Sequence, residues 1–249
     1  MFPSQERIKG QINHLVGVHH ESLANIRPHF FLTGPSGTGK SFLTKQICEE
    51  KELPFFVINA AQLTAEGLSG NSLGKALRPL RDHWNKPNVI LVDEFDKLFQ
   101  RNGEATDSFR SQVQDEFLDV LEAKNASVFT DYGKYEPVLI ANTMFIFAGA
   151  FSGVQMKSLD DLREAGMRTE FLGRVPLVFS TEAVPLDELR DALPHIKLFK
   201  DYMTLNKGKF KAAKAIADIC KLMDEQVKNA DLGVRLLHSV IHQYFMRGV

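Results

Sequence analysis

The sequence predicts an α/β fold: a parallel sheet flanked by helices, with a small C-terminal all-helical domain. Three observations lead there. Short, continuously apolar runs alternate with stretches of helical spacing as far as Phe179, the pattern of strands buried on both faces of a parallel sheet. A glycine-rich loop joins the first apolar run to a helix. Beyond Pro185 the strand signals stop and only helical spacing remains.

Residues 5–26 carry helical spacing through Ile8, Ile12, Leu15, Val16, His19 and Leu23. His29-Phe30-Phe31-Leu32-Thr33 is a short apolar run ending at glycine and reads as a buried strand. A helix is predicted over 40–51, a strand over 54–59, a helix over 72–84 and a buried strand over 89–92. Spacing of Phe109, Val113, Phe117, Val120 and Leu121 predicts a helix over 108–122, and strands follow over 144–148 and 175–179. Three helical stretches close the chain, over 186–204, 209–228 and 232–246. The boundary is therefore placed near Ala183, giving a large domain over 1–183 and a small helical one over 184–249. No internal repeat suggests a solenoid.

The 249 residues are enough to bury a sizeable core, and 44% apolar with 24% charged residues is ordinary for a soluble globular protein. A formal net charge of -1 supplies no global attraction to nucleic acid or membrane, which leaves only local patches for such partners. Cys48 and Cys220 lie far apart in helical stretches, lack metal spacing and read as structural thiols of a reducing compartment. Met1-Phe2-Pro3-Ser4 leads directly into a polar helical stretch, and no apolar run reaches membrane-spanning length. The expected location is cytoplasmic, with no membrane partner.

Gly34-Pro35-Ser36-Gly37-Thr38-Gly39-Lys40-Ser41 fits G-x-x-x-x-G-K-[ST] between a predicted strand and a predicted helix, the arrangement of a P-loop NTPase. Glycines let backbone N–H groups turn inward and approach phosphate oxygens, and the helix start adds its positive end. Lys40 is expected on the β- and γ-phosphates and the Ser41 hydroxyl on Mg²⁺, with nucleotide contacts running on to Phe42. Val89-Ile90-Leu91-Val92-Asp93-Glu94 is an apolar strand ending in two carboxylates, at the end of a parallel strand where ligands bind. Asp93 is the candidate to hold Mg²⁺ through water, and Glu94 the candidate to polarise the attacking water.

With these residues in hand, the chain resembles the AAA+ ATPases, and among them the ClpX and HslU unfoldase branch. Asp93-Glu94-Phe95-Asp96-Lys97 is similar to that branch's D-E-I-D-K, and Gln112-Val113-Gln114-Asp115-Glu116-Phe117-Leu118 to its G-V-Q-x-x-L-L helix. Phe145-Ile146-Phe147-Ala148-Gly149-Ala150-Phe151 resembles F-I-x-x-G-A-F, and Glu170-Phe171-Leu172-Gly173-Arg174-Val175-Pro176 resembles E-F-I-G-R-[LFI]-P. Gly233-Val234-Arg235 resembles the G-A-R of the small domain. The resemblance implies that Arg174 is an arginine finger reaching nucleotide in a neighbouring chain, and that Arg235 touches nucleotide bound by its own chain. An arginine supplied only in the assembled ring would stabilise the spread charge of a loose phosphoryl-transfer transition state.

The chain also departs from that branch. Its G-[YF]-V-G pore loop corresponds here to Gly67-Leu68-Ser69-Gly70, so that Leu68 either grips an unfolding chain with less area than an aromatic or tucks into the core. Tyr132 and Tyr135 belong either to a second pore-facing loop or to a hairpin tip. Met1-Phe2-Pro3 stands where the branch has V-I-G near the adenine, and neither a zinc module nor an I-G-F/L-type docking loop is recognisable. Docking to a protease ring is therefore not expected. Lys207, Lys209, Lys211 and Lys214 read as a solvated helix face, with an acidic partner or nucleic acid as the alternative. His238 and His242 have zinc-compatible spacing but no acidic third ligand nearby.

The expectation is a ring-forming, homohexameric ATP-hydrolysing protein that uses Mg²⁺ and remodels or unfolds a protein substrate, alone or through an adaptor. The alternatives are a nucleic-acid-associated loader or regulator and an ATP-switched scaffold that threads nothing.

Overall fold

The computed structural model describes residues 2–64, 71–99, 104–130, 133–206, 208–227 and 233–246. The chain forms two compact units: a sheet unit of Ile8–Gly34 and Lys40–Ser180, and a helical unit of Met1–Arg7, Pro35–Gly39 and Thr181–Val249.

The sheet unit holds most of α1 (Glu6–Glu21), then β1 (Phe30–Thr33), α2 (Lys40–Glu50), β2 (Phe55–Asn59), α3 (Leu73–Ala76) and β3 (Asn88–Asp93). It continues with α4 (Glu104–Glu122), β4 (Asn125–Phe129), β5 (Tyr135–Leu139), β6 (Thr143–Gly149), α5 (Leu159–Glu164), α6 (Thr169–Arg174) and β7 (Leu177–Ser180). Five strands pair in the order β2-β3-β6-β1-β7, all parallel. Successive strand residues face opposite sides, so Phe31, Ile90, Val92, Phe145 and Phe147 fill one core while Phe30, Leu32, Val89, Leu91, Met144 and Ile146 fill another. Both faces are covered, which is why the central strands read as unbroken apolar runs. The edge strand β2 is only partly buried, and Val57 is exposed.

Local differences from the sequence expectations have identifiable causes. α1 stops at Glu21 instead of reaching residue 26, because Leu23 and Ala24 take positive φ. The helix expected over 72–84 is the short α3 followed by a 3-10 turn, Arg78–Asp82. Pro79 supplies no N–H to continue an α-helix there. The strand expected from 175 begins at Leu177, since α6 runs to Arg174 and Pro176 intervenes. β4 and β5 form an antiparallel hairpin apart from the main sheet.

At the N-terminal end of the sheet, His19 and His29 are buried. The Nδ1 of His29 accepts the Phe145 N–H at 3.0 Å, a bond that requires an unprotonated nitrogen. Burial, reinforced by the nearby Arg27 charge, pushes His29 down to about 3, and burial also lowers His19. Both rings are therefore neutral in the fold at pH 7, whereas in the unfolded chain they protonate near 6.5. Their contribution to stability is complete above pH 6.5 and is lost as pH falls toward the folded value. Each fully shifted histidine removes about 1.4 kcal/mol per pH unit in that window. Urea midpoints should fall clearly between pH 7 and pH 5; a flat profile would contradict neutral burial.

The helical unit contains α7 (Leu186–Ala192), α8 (Lys197–Leu205), α9 (Ala212–Val227) and α10 (Val234–Met246). The stretch expected as one helix over 186–204 is divided by a 3-10 turn, Leu193–His195, at Pro194. Leu189, Leu193, Phe199, Ile219, Met223, Leu237, Val240 and Phe245 form its core, and Tyr202 stacks on Phe245 at 4.6 Å. The Tyr202 hydroxyl lies 2.9 Å from Nδ1 of His242, which engages that ring in packing. Lys209, Lys211 and Lys214 are exposed, and Lys207 lies outside the described residues.

Candidate functional site

In the sheet unit the candidate side chains gather at the C-terminal ends of β1, β3 and β6. Register pairs Thr33 of β1 with Gly149 of β6, and Val92 of β3 with Phe147 of β6, so those ends lie at neighbouring levels. Gly34 follows β1 with φ 126°, a conformation that needs glycine. Lys40 opens α2, is buried, and donates from Nζ to the Gly34 carbonyl at 2.7 Å. One residue on, Ser41 Oγ donates to Asp93 Oδ2 at 2.7 Å. The other Asp93 oxygen accepts the Glu94 backbone N–H at 2.9 Å.

Glu94 itself is exposed and sits at φ 55°, ψ 31°, a left-handed conformation that costs a non-glycine residue on the order of 1 kcal/mol or more. What holds it there is the next residue. Phe95 is fully buried, with its ring 4.6 Å from Phe147 and 5.1 Å from Phe171. The chain must turn sharply at Glu94 to bury that ring, which leaves the carboxylate outside.

Asp96, a further candidate beside the acid pair, stands out in the sequence only as part of the Asp93-Glu94-Phe95-Asp96-Lys97 run. Buried beneath the turn, it accepts the Ala150 N–H at 3.2 Å and lies 3.8 Å from the Lys97 ammonium. It thereby ties the segment after β6 to the turn after β3. An aspartate following Phe95, two residues beyond a strand-ending acid pair, is the signal the sequence carries.

Arg174 ends α6, three residues beyond Phe171 of the same aromatic cluster. Its Nη1 donates to the Glu170 carbonyl at 2.9 Å and its Nη2 to the Glu122 carboxylate.

In the helical unit, the loop Pro35–Gly39 is held by several contacts. Thr38 Oγ1 lies 3.0 Å from the Pro35 carbonyl and 2.7 Å from Thr181 Oγ1, and the Gln5 amide donates to the Thr38 carbonyl. Gly37 and Gly39 have φ 78° and 82°. The start of α10 meets this loop: the Val234 N–H donates to the Gly37 carbonyl at 3.0 Å, and Arg235 Nη1 to Ser36 Oγ at 2.9 Å. Gly233 permits the approach, since a Cβ there would stand 2.7 Å from that same carbonyl oxygen. Arg235 and Ser36, remote in sequence, are thus brought together.

Phe42 is exposed on α2. Leu68 and Tyr132 lie outside the described residues. Tyr135 opens β5, half exposed, with its ring 5.3 Å from Phe129 across the hairpin.

The model of the ATPase family associated with various cellular activities (AAA) matches residues 30–195, a span containing the loop, the acid pair and Arg174. The chain belongs to the AAA family. It is therefore an ATPase by family, and a ClpX-like one. It is 24% identical to the ATP-binding subunit ClpX of the ATP-dependent Clp protease from Porphyromonas gingivalis, over 88% of this chain and 65% of that protein. Identity to ClpX of Treponema denticola is 22%, over 97% of this chain and 72% of that one. Identity to the second ClpX of Wolinella succinogenes is 26%, over 98% and 72%. The chain thus spans about two thirds of the length of these relatives, 65% to 72%.

For an AAA chain the implied metal is Mg²⁺, and the residues fit it. The Ser41 hydroxyl and Asp93 carboxylate are adjacent hard oxygen donors, 2.7 Å apart, the donor type that Mg²⁺ prefers. Among the described residues no group of three or more His, Cys, Asp or Glu could hold a metal. Mg²⁺ needs none, because it is characteristically held by one or two protein oxygens plus phosphate and water. No helix among the described residues is long and apolar enough to cross a membrane.

Proposed function

We propose that this AAA chain hydrolyses ATP with Mg²⁺ in a homohexameric ring and uses the cycle to remodel or unfold a protein substrate. The observation that carries the hydrolytic part is the 2.7 Å contact from Ser41 to Asp93, with the strained Glu94 next in the chain. Backbone N–H groups of 34–41 would cradle the phosphates, and Lys40 would exchange the Gly34 carbonyl for β- and γ-phosphate oxygens. Mg²⁺, on Ser41 directly and on Asp93 through water, would neutralise charge on those oxygens. Glu94 would hold and polarise the attacking water. Arg235, next to Ser36, would contact nucleotide of its own chain, and Arg174 nucleotide of the neighbour. The large ATP-binding domain would be 1–183 and the helical lid 184–249.

Remodelling draws support from likeness to ClpX, named as the ATP-binding subunit of a protease. Leu68, Tyr132 and Tyr135 are the candidate substrate-gripping residues, and the location that fits the reading is cytoplasmic. ATP turnover measured with an unfolded protein or with single-stranded DNA tests this part, comparing native chain with Leu68→Ala. Stimulation by unfolded protein, reduced in Leu68→Ala, is the expected result. Stimulation by DNA alone would favour a nucleic-acid-associated ATPase, and stimulation by neither would favour a switched scaffold.

A further inference from the structure

The Arg174 guanidinium carries five N–H donors, and its surroundings account for several of them. Nη1 spends one on the Glu170 carbonyl at 2.9 Å, within α6, and Nη2 spends one on the Glu122 carboxylate at the end of α4. The Nε is buried and has no hydrogen-bond partner among the described residues. By count, one N–H remains on each terminal nitrogen, a fork suited to two oxygens of a phosphate.

We propose that Glu122 is a positioning residue for Arg174, fixing the guanidinium so that this fork meets phosphate bound by the neighbouring protomer. The inference rests on the arginine-finger reading of Arg174. Two effects of Glu122 compete. Its negative charge weakens the pull of Arg174 on phosphate, whereas its hydrogen bond removes the rotamer freedom that Arg174 would otherwise lose on engagement. The Glu122 side chain is 61% exposed, so its charge is strongly screened by water. The immobilising hydrogen bond is short-ranged and directional, and solvent weakens it less than it weakens the through-space effect of the charge. Holding one long side chain in place is worth about tenfold in rate. Positioning therefore wins.

The anchor is also well founded. α4 and α6 pack together, and Phe117 of α4 and Phe171 of α6 both pack around Phe95 and Phe147 of the core. The Glu122–Arg174 pair thus joins the ends of two helices that share one aromatic cluster.

The test is steady-state ATP turnover of Glu122→Ala and Glu122→Gln, with KM, assembly state and thermal midpoint measured alongside. Glu122→Ala should lower kcat about tenfold with KM and assembly unchanged. Glu122→Gln, which keeps an acceptor oxygen, should stay within about threefold of native. Mixing Glu122→Ala with excess Glu94→Gln chains should raise turnover per Glu122→Ala chain, because each intact Glu94 then faces a correctly held Arg174 from its neighbour. Unchanged or increased kcat in Glu122→Ala overturns the proposal, as does equal loss in both variants or no recovery on mixing. Arg174→Ala separates the two failures. If Arg174→Ala is inactive while both Glu122 variants are native-like, only the role of Glu122 falls; if Arg174→Ala is fully active, the finger reading falls with it.

Discussion

Glu94→Gln should bind ATP as the native chain does and hydrolyse it about 10² to 10⁴ times more slowly, the range typical of a lost general base. The expectation follows from how the residue is held. Phe95 is locked into the aromatic cluster and Asp93 accepts the Glu94 N–H, so the backbone on both sides is fixed whatever the side chain at 94. Glutamine keeps the size and hydrogen-bonding capacity of glutamate but cannot take a proton from water. Because Glu94 is exposed and contributes nothing to the core, the thermal midpoint should not move. Phosphate release and titration with a fluorescent ATP analogue check the two halves separately. Native turnover in Glu94→Gln would remove Glu94 from the chemistry, and loss of binding would make it a structural residue.

Arg174→Ala carries the second large effect. Arginine fingers are worth about 10³ to 10⁵ in rate, since guanidinium charge meets the equatorial oxygens only in the transition state. ATP affinity should change little, because on this reading ground-state binding would come from the loop and Lys40. Some stability cost is expected from releasing Glu122, but that carboxylate is largely exposed and the loss should stay near 1 kcal/mol or less. Arg174→Lys should not restore activity, as a single ammonium cannot reproduce the planar fork. Turnover that rises with protein concentration in the native chain, and is absent from Arg174→Ala at every concentration, is the expected signature of a shared site.

The parts of this protein legible in its sequence are those with local physical causes. Unbroken apolar runs such as 89–92 and 144–148 announce strands buried on both faces, and they are two of the three interior strands of the sheet. Gly34, Gly37 and Gly39 announce a loop with positive φ, and all three adopt it. The divisions at Pro79 and Pro194 were legible in principle, because each ring interrupts a helical pattern that apolar spacing alone carries straight through. Contacts between distant residues left no such trace. Glu122 meets Arg174 across fifty-two residues, and Ser36 meets Arg235 across one hundred and ninety-nine. Neither pairing follows from spacing or propensity, since both depend on which helix ends the packed cores bring together. Asp96 is intermediate: its type and place beside the acid pair were visible, but its bond to Ala150 required the register of β3 against β6.

The claim on which everything else depends is that Lys40, Ser41, Asp93 and Glu94 form one hydrolytic centre for Mg²⁺·ATP. Phosphate release from ATP by the native chain, with Mg²⁺ and with excess chelator, beside Lys40→Ala under the same conditions, tests it most directly. Turnover should require Mg²⁺ and disappear in Lys40→Ala. Turnover that persists with chelator, or at the native rate in Lys40→Ala, would contradict it.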